Sequence, residues 1–330
     1  MEPNTQWDPL MDEQNENQED NKTQVNNEEK NQSTQKEAES SSSKDGENNK
    51  GTRTDSFTEQ VNFPDDNRPI VVLFGPQSSG KSSILQCLAK YLNGREHVIQ
   101  PNETFRSSNS EYEGICKSFS DSIQGDSMPA TASENFLLVD VTYDYRVICH
   151  ILEAPGEHYH SIDCKDTQEI SKLPMYMQQL QQTPNKKIWI FVLERDWKRG
   201  EGDNNQQIQL TREIKRIADD SSNQSQAAIF VCNKVDMHLE GGNRIDYRCE
   251  KACEKLFTQL NQIYRLDEKS IFEFWKEKRP IIKWLKPYRY SFIPFSSGLV
   301  SERNGSKVIR YNINDTFYPE SLWDAINKEL

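Results

Sequence analysis

Short apolar runs alternate with amphipathic stretches from residue 69 onward. That alternation predicts an α/β chain: a doubly wound, mostly parallel sheet with helices on both faces, preceded by a disordered tail. Three observations carry this expectation. The run Ile70-Val71-Val72-Leu73-Phe74 ends abruptly at a glycine-bounded octet, as a buried parallel strand does. Residues 186–193 (KKIWIFVL) and 227–232 (AAIFVC) read the same way. Residues 1–60, by contrast, hold 15 acidic and 6 basic side chains among Asn, Gln and Ser, so most of the net charge of −12 sits in them. Such a segment buries too little apolar surface to offset the entropy of ordering. It reads as a disordered acidic tail over 1–66, with one folded domain over 67–330.

The remaining elements follow from periodicity. After the octet, Ile84, Leu85, Leu88 and Leu92 fall on one helical face. Residues 136–141 and 145–152 form two strands with Asp144 in the turn, and neighbours this close can only pair antiparallel. Residues 174–182 predict a helix with Pro174 in its first turn. Residues 206–218 carry Ile208, Leu210, Ile214 and Ile217 at helical spacing, and 248–264 carry Ala252, Leu256, Leu260 and Ile263. Residues 290–295 read as a last strand. The closing helix, 319–330, buries Leu322, Trp323 and Ile326. Two segments fit this plan poorly and read as insertions: the polar, weakly patterned 94–130 and the aromatic-basic 266–287. The latter reads as helical packing with charged rims rather than a partner surface.

Several classes are disfavoured. No apolar stretch approaches the roughly 18 residues of a spanning helix, and the polar N-terminus has neither a signal-peptide h-region nor a lipidation motif. Seven cysteines at irregular spacing do not suggest a disulfide framework. Cys249 and Cys253 lie four apart on a helix, but packing explains them better than a metal with no further ligand nearby. A reduced, cytoplasmic compartment is expected. The acidic tail argues against nucleic acid as a direct partner.

The chemistry is concentrated in short motifs. Gly75-Pro76-Gln77-Ser78-Ser79-Gly80-Lys81-Ser82 matches G-x-x-x-x-G-K-[ST], with Ser83 next in the helix. Glycines let the backbone wrap a phosphate, and the helix N-terminus behind it favours negative charge. Lys81 would reach the β- and γ-phosphates, and the Ser82 hydroxyl would ligate Mg²⁺. This octet alone suits ATPases, kinases and GTPases equally. Asn233-Lys234-Val235-Asp236 follows the strand at 227–232. An Asp carboxylate can accept from both guanine N1–H and the 2-amino group, a donor pair that adenine lacks.

With N-K-x-D in place, the chain resembles the Ras-like and translation-factor class of P-loop GTPases, as an atypical member with long insertions. The resemblance covers roughly residues 68–330. It implies that Asn233 braces the loop, that the Lys234 stem lies over the base, and that Ser296 and Ser297, before Gly298, form the loop reading guanine O6. It also implies a D-x-x-G switch, which here is Glu153-Ala154-Pro155-Gly156. Gly156 would contact the γ-phosphate. Glu153, one methylene longer than the usual Asp, would orient a Mg²⁺-bound water. Thr131 is the expected first-switch metal ligand, with Ser133 a weaker rival, and Glu157, His158 or His160 would orient the attacking water.

The implied function is a GTP/GDP-binding, Mg²⁺-dependent switch with slow hydrolysis. Glu153 and Glu157 keep open a nucleotide-bound scaffold that does not hydrolyse. A P-loop kinase of a small acceptor is the third class. An unidentified protein effector or regulator is the expected partner, and a homodimer is compatible with the sequence.

Overall fold

The computed structural model describes residues 58–124, 127–128, 136–156, 174–195, 203–220, 226–276, 290–303, 306–310 and 315–330. All lie in one unit, Thr52–Leu330. In chain order, β1 (Ile70–Phe74) leads to α1 (Lys81–Asn93), β2 (His97–Pro101), α2 (Tyr112–Gln124) and the two residues of β3 (Ser127–Met128). The hairpin of β4 (Leu137–Tyr143) and β5 (Arg146–Glu153) follows, then α3 (Met175–Gln182), β6 (Lys187–Leu193), α4 (Asp203–Asp220) and β7 (Gln226–Cys232). Next come β8 (Leu239–Glu240), β9 (Asn243–Arg244), α5 (Glu250–Ile263), β10 (Arg265–Leu266), β11 (Lys269–Ser270) and α6 (Ile271–Lys276). The chain closes with β12 (Tyr290–Pro294), β13 (Leu299–Arg303), β14 (Ser306–Arg310) and α7 (Phe317–Asn327).

The main sheet has the order β12-β7-β6-β1-β5-β4-β2. β12, β7, β6, β1 and β5 are mutually parallel; β4 is antiparallel to β5, and β2 is antiparallel to β4 and so runs with the other five. Every residue of β1 and β6 is buried, as expected for parallel strands covered on both faces. Trp189, Phe191 and Phe230 continue that core around Phe74. α1 packs against α7, and α4 against α6.

Two expectations are corrected. Residues 94–130 are not a loop insertion: β2 is a strand of the main sheet and α2 a full helix. β2 escaped notice because it is an edge strand whose only buried residue is Ile99. Its outer edge is blunted locally, since the Ile99 N–H donates to Asn93 Oδ1 at 3.1 Å. α2 buries Tyr112, Cys116 and Phe119, a stripe at helical spacing hidden in polar surroundings. The segment 266–287, expected to pack as a helix, begins in a hairpin, β10–β11, turning through Asp267 and Glu268 at positive φ, and goes on into helix α6. Ile271, Phe272, Phe274 and Trp275 then enter the core, so these aromatics pack inward. Trp284 lies outside the described residues.

The second correction concerns the tail, whose expected end at residue 66 is too late. Glu59 is buried and paired with Arg106 through two contacts, of 2.9 and 2.6 Å. That guanidinium also donates to Phe136 O and lies over the Phe136 ring. Val61 is buried, and its N–H donates to Gln179 Oε1 at 3.1 Å. Fixed partners, invisible in composition, anchor this stretch.

Asp66 adds a further anchor. Buried His150 on β5 has Nδ1 2.7 Å from Asp140 Oδ1 and Nε2 3.1 Å from Asp66 Oδ2. Burial by itself lowers the imidazole pKa, but the two carboxylates raise it by more, leaving it above 6.5. A raised folded-state pKa means stabilisation that is complete below the unfolded value near pH 6.5 and lost as pH rises through the folded value. Asp66 is partly exposed, which screens the pair. In urea denaturation the wild type is expected to lose stability relative to His150→Gln as pH rises above about 6.5. Parallel pH profiles for the two proteins would refute this.

Candidate functional site

β1 delivers the phosphate loop to the carboxyl edge of the sheet, where α1 begins at Lys81. Gly80 has φ +87°, and a Cβ there would lie 2.2 Å from Asn233 Nδ2, so both conformation and space require glycine. No side chain caps the start of α1 and its first turn holds no acidic residue, which leaves its amides suited to an anion. The Lys81 ammonium is buried inside the loop and donates to Gly75 O at 2.9 Å and Pro76 O at 3.0 Å. Ser79 Oγ, also buried here, has no protein partner.

The residues expected to read the base arrive from β7 and β12, next but one and next but two to β1. Val235 N–H donates to Phe295 O and Phe295 N–H to Cys232 O, which laces the two loops together. Asn233 donates from Nδ2 to Ser79 O at 2.8 Å, a buried bridge onto the phosphate loop. Its Oδ1 is buried without a protein partner. Lys234, at φ +61°, reaches back to Ser78 O at 2.8 Å. Ser296 Oγ donates to Asp236 Oδ1 at 2.8 Å, which orients the half-buried carboxylate, and Ser297 is buried beside it.

A parallel sheet with its phosphate loop after the central strand, and an N-K-x-D loop bridged to that loop at the same sheet edge, decides the architecture. The chain has a P-loop GTPase fold. Neither a protein-family model nor a curated protein sequence matches it. Solved structures do. Toc33 from Arabidopsis thaliana is 13% identical, with a TM-score of 0.40, over 80% of this chain and 85% of that one. The signal recognition particle receptor SRb from Chaetomium thermophilum, solved with GDP, is 11% identical with a TM-score of 0.36, over 80% and 98%. The Ski7 GTPase-like domain from S. cerevisiae, solved with GTP, is 15% identical with a TM-score of 0.33, over 70% and 43%.

The expected switch residues Glu153 and Gly156 are brought in by β5. Glu153, its last residue, is buried and accepts a hydrogen bond from Ser82 Oγ. Burial pushes its carboxyl up to about 7, against the opposing pull of the Ser82 hydrogen bond and the Lys81 charge. A hydroxyl and a carboxylate in contact form a hard oxygen donor pair, which fits Mg²⁺. Gly156 lies against the phosphate loop, where a Cβ would come within 2.2 Å of Gln77 N and 2.5 Å of Pro76 C. Both contacts are backbone, so Gly156→Ala must displace the loop. An overpacking cost of about 2 kcal/mol and a midpoint lower by about 4–8 °C are expected in thermal unfolding. An unchanged midpoint would show that the loop yields freely.

Thr131, Ser133, Glu157, His158 and His160 lie outside the described residues. β3, just before Thr131, pairs with β14 through Met128↔Ile309 and Ser127↔Arg310. β14 in turn pairs with β13, which follows directly on the Ser296–Ser297–Gly298 loop. The chain leading to the expected first switch is therefore hydrogen-bonded to an extension of the base-reading loop.

Two residues of the site had escaped sequence reasoning. Glu194, immediately after β6, places Oε1 2.5 Å from Lys234 Nζ. Tyr264, fully buried at the end of α5, holds the Glu194 backbone. The available signal was position alone: Glu194 follows a parallel strand at the carboxyl edge, where α/β proteins bind ligands. A cavity of about 460 Å³ between α5 and the β8–β9 hairpin, lined by Arg195, Tyr247 and Lys255, is separate from the phosphate loop.

Proposed function

We propose that this protein binds GTP and GDP with Mg²⁺ and acts as a slowly hydrolysing switch, converting GTP and water to GDP and phosphate. The observation that carries the reading is the Asp236 carboxylate, oriented by Ser296 and tied to the phosphate loop through Asn233 and Lys234. Guanine would satisfy that carboxylate with two donors, whereas adenine would leave it unpaired. The buried, partnerless Ser79 Oγ and Asn233 Oδ1 support a polar ligand at this seam.

Ser82, Glu153 and Thr131 are the residues proposed to hold Mg²⁺, which when bound supplies charge neutralisation between the phosphates. Lys81 and the loop amides bind and orient the phosphates, Gly156 offers its N–H to the γ-phosphate, and Glu157 or His158 orients the water. Glu153 in place of the usual Asp, together with an unassigned water-orienting residue, motivates the second reading, a nucleotide-bound scaffold that does not hydrolyse. Among the described residues no helix is long and apolar enough to cross a membrane. A cytoplasmic site of action and a protein effector complete the proposal.

Identifying the nucleotide that copurifies with the full chain tests the first claim, and calorimetry showing equal affinity for ATP and GTP would sink it. Single-turnover phosphate release separates the two readings: Mg²⁺-dependent release excludes the scaffold.

A further inference from the structure

A short relay runs from the core to the base-reading loop. Tyr264 is fully buried at the C-terminal end of α5, and its hydroxyl makes two hydrogen bonds to one residue. It accepts from the Glu194 N–H at 3.0 Å and donates to Glu194 O at 2.9 Å. Both polar groups of that peptide backbone are thereby held where the chain leaves β6. The Glu194 side chain, three-quarters or more buried, reaches Lys234 Nζ at 2.5 Å. The same ammonium donates to Ser78 O in the phosphate loop at 2.8 Å. Lys234 itself sits at φ +61°, a backbone state that aims its long side chain across the site.

We propose that Glu194 is a positioning residue for Lys234, holding the lysine stem in the place where a guanine ring rests. The proposal rests on the guanine-nucleotide reading above. A free lysine side chain loses rotamer entropy when it is fixed. Glu194 fixes it before the nucleotide arrives, so the ligand does not bear that cost. The Tyr264 clamp makes Glu194 rigid enough to do so. No role for Glu194 in contacting the nucleotide is implied.

The test uses the full chain stripped of nucleotide and a fluorescent GDP analogue, read as the dissociation rate. Glu194→Gln is expected to raise that rate about tenfold, and Glu194→Asp, with the charge kept but the reach shortened, about threefold. In a Lys234→Met background the Glu194→Gln change is expected to have no further effect, because the group it positions is gone. The thermal midpoint of the nucleotide-free protein is expected to stay within about 2 °C of wild type, since a partly exposed ion pair contributes little to stability. Effects that add independently in the double variant, or an unchanged rate in Glu194→Gln, would overturn the positioning role while leaving GDP binding intact. A wild-type chain that binds no GDP overturns both readings together.

Discussion

Lys81→Ala is expected to abolish nucleotide binding at concentrations that saturate the wild-type chain. The ammonium is buried at the centre of the phosphate loop, held by the Gly75 and Pro76 carbonyls. Phosphates entering that loop would bring several negative charges up to the Lys81 ammonium and the uncapped amides at the start of α1. Removing one partner of a buried, hydrogen-bonded charge pair costs about 2–5 kcal/mol, or roughly one and a half to three and a half decades in affinity. The fold should survive, because Ala is a strong helix former at the first position of α1 and creates no clash there. Calorimetry with GDP and GTP, alongside a circular dichroism spectrum, checks both halves. Retained micromolar binding in a folded variant would mean that the loop does not hold phosphate.

Asp236→Asn is expected to weaken guanine nucleotides by about three decades and to shift preference toward xanthine nucleotides. The carboxylate offers two acceptors, and the variant amide would set a donor against one of the guanine donors. Xanthine replaces the 2-amino group with a carbonyl, which that amide can satisfy. Ser296 Oγ donates to Asp236 Oδ1 in the structure, so the variant keeps its orientation if its amide oxygen takes that place. Competition between GDP and xanthosine diphosphate for a labelled nucleotide measures the switch. A uniform loss for both bases would show that Asp236 supports the loop rather than reading the base.

The phosphate loop and the N-K-x-D motif were legible because each is a local run whose neighbours confirm it. An all-apolar strand before an octet and a helical stripe after it need no tertiary information. Strands β1, β6 and β7 were legible for the same reason, since burial on both faces leaves an unbroken apolar signature. The edge strand β2 and helix α2 were not. One buries a single side chain, and the other places its apolar stripe among serines and charges.

By itself, then, the sequence determined the fold class, the central strands and the residue types that would meet a nucleotide. Each of these is encoded within a window of about ten residues, by hydrophobic period or by motif chemistry. Only the tertiary structure decided that Asn233 bridges to Ser79 across 154 positions, that Glu59 locks onto Arg106, and that Glu194 is clamped by Tyr264 and paired with Lys234. Such contacts depend on which loops the sheet order brings to one edge. No local pattern records that, because the partners carry no signal until the strands between them have paired.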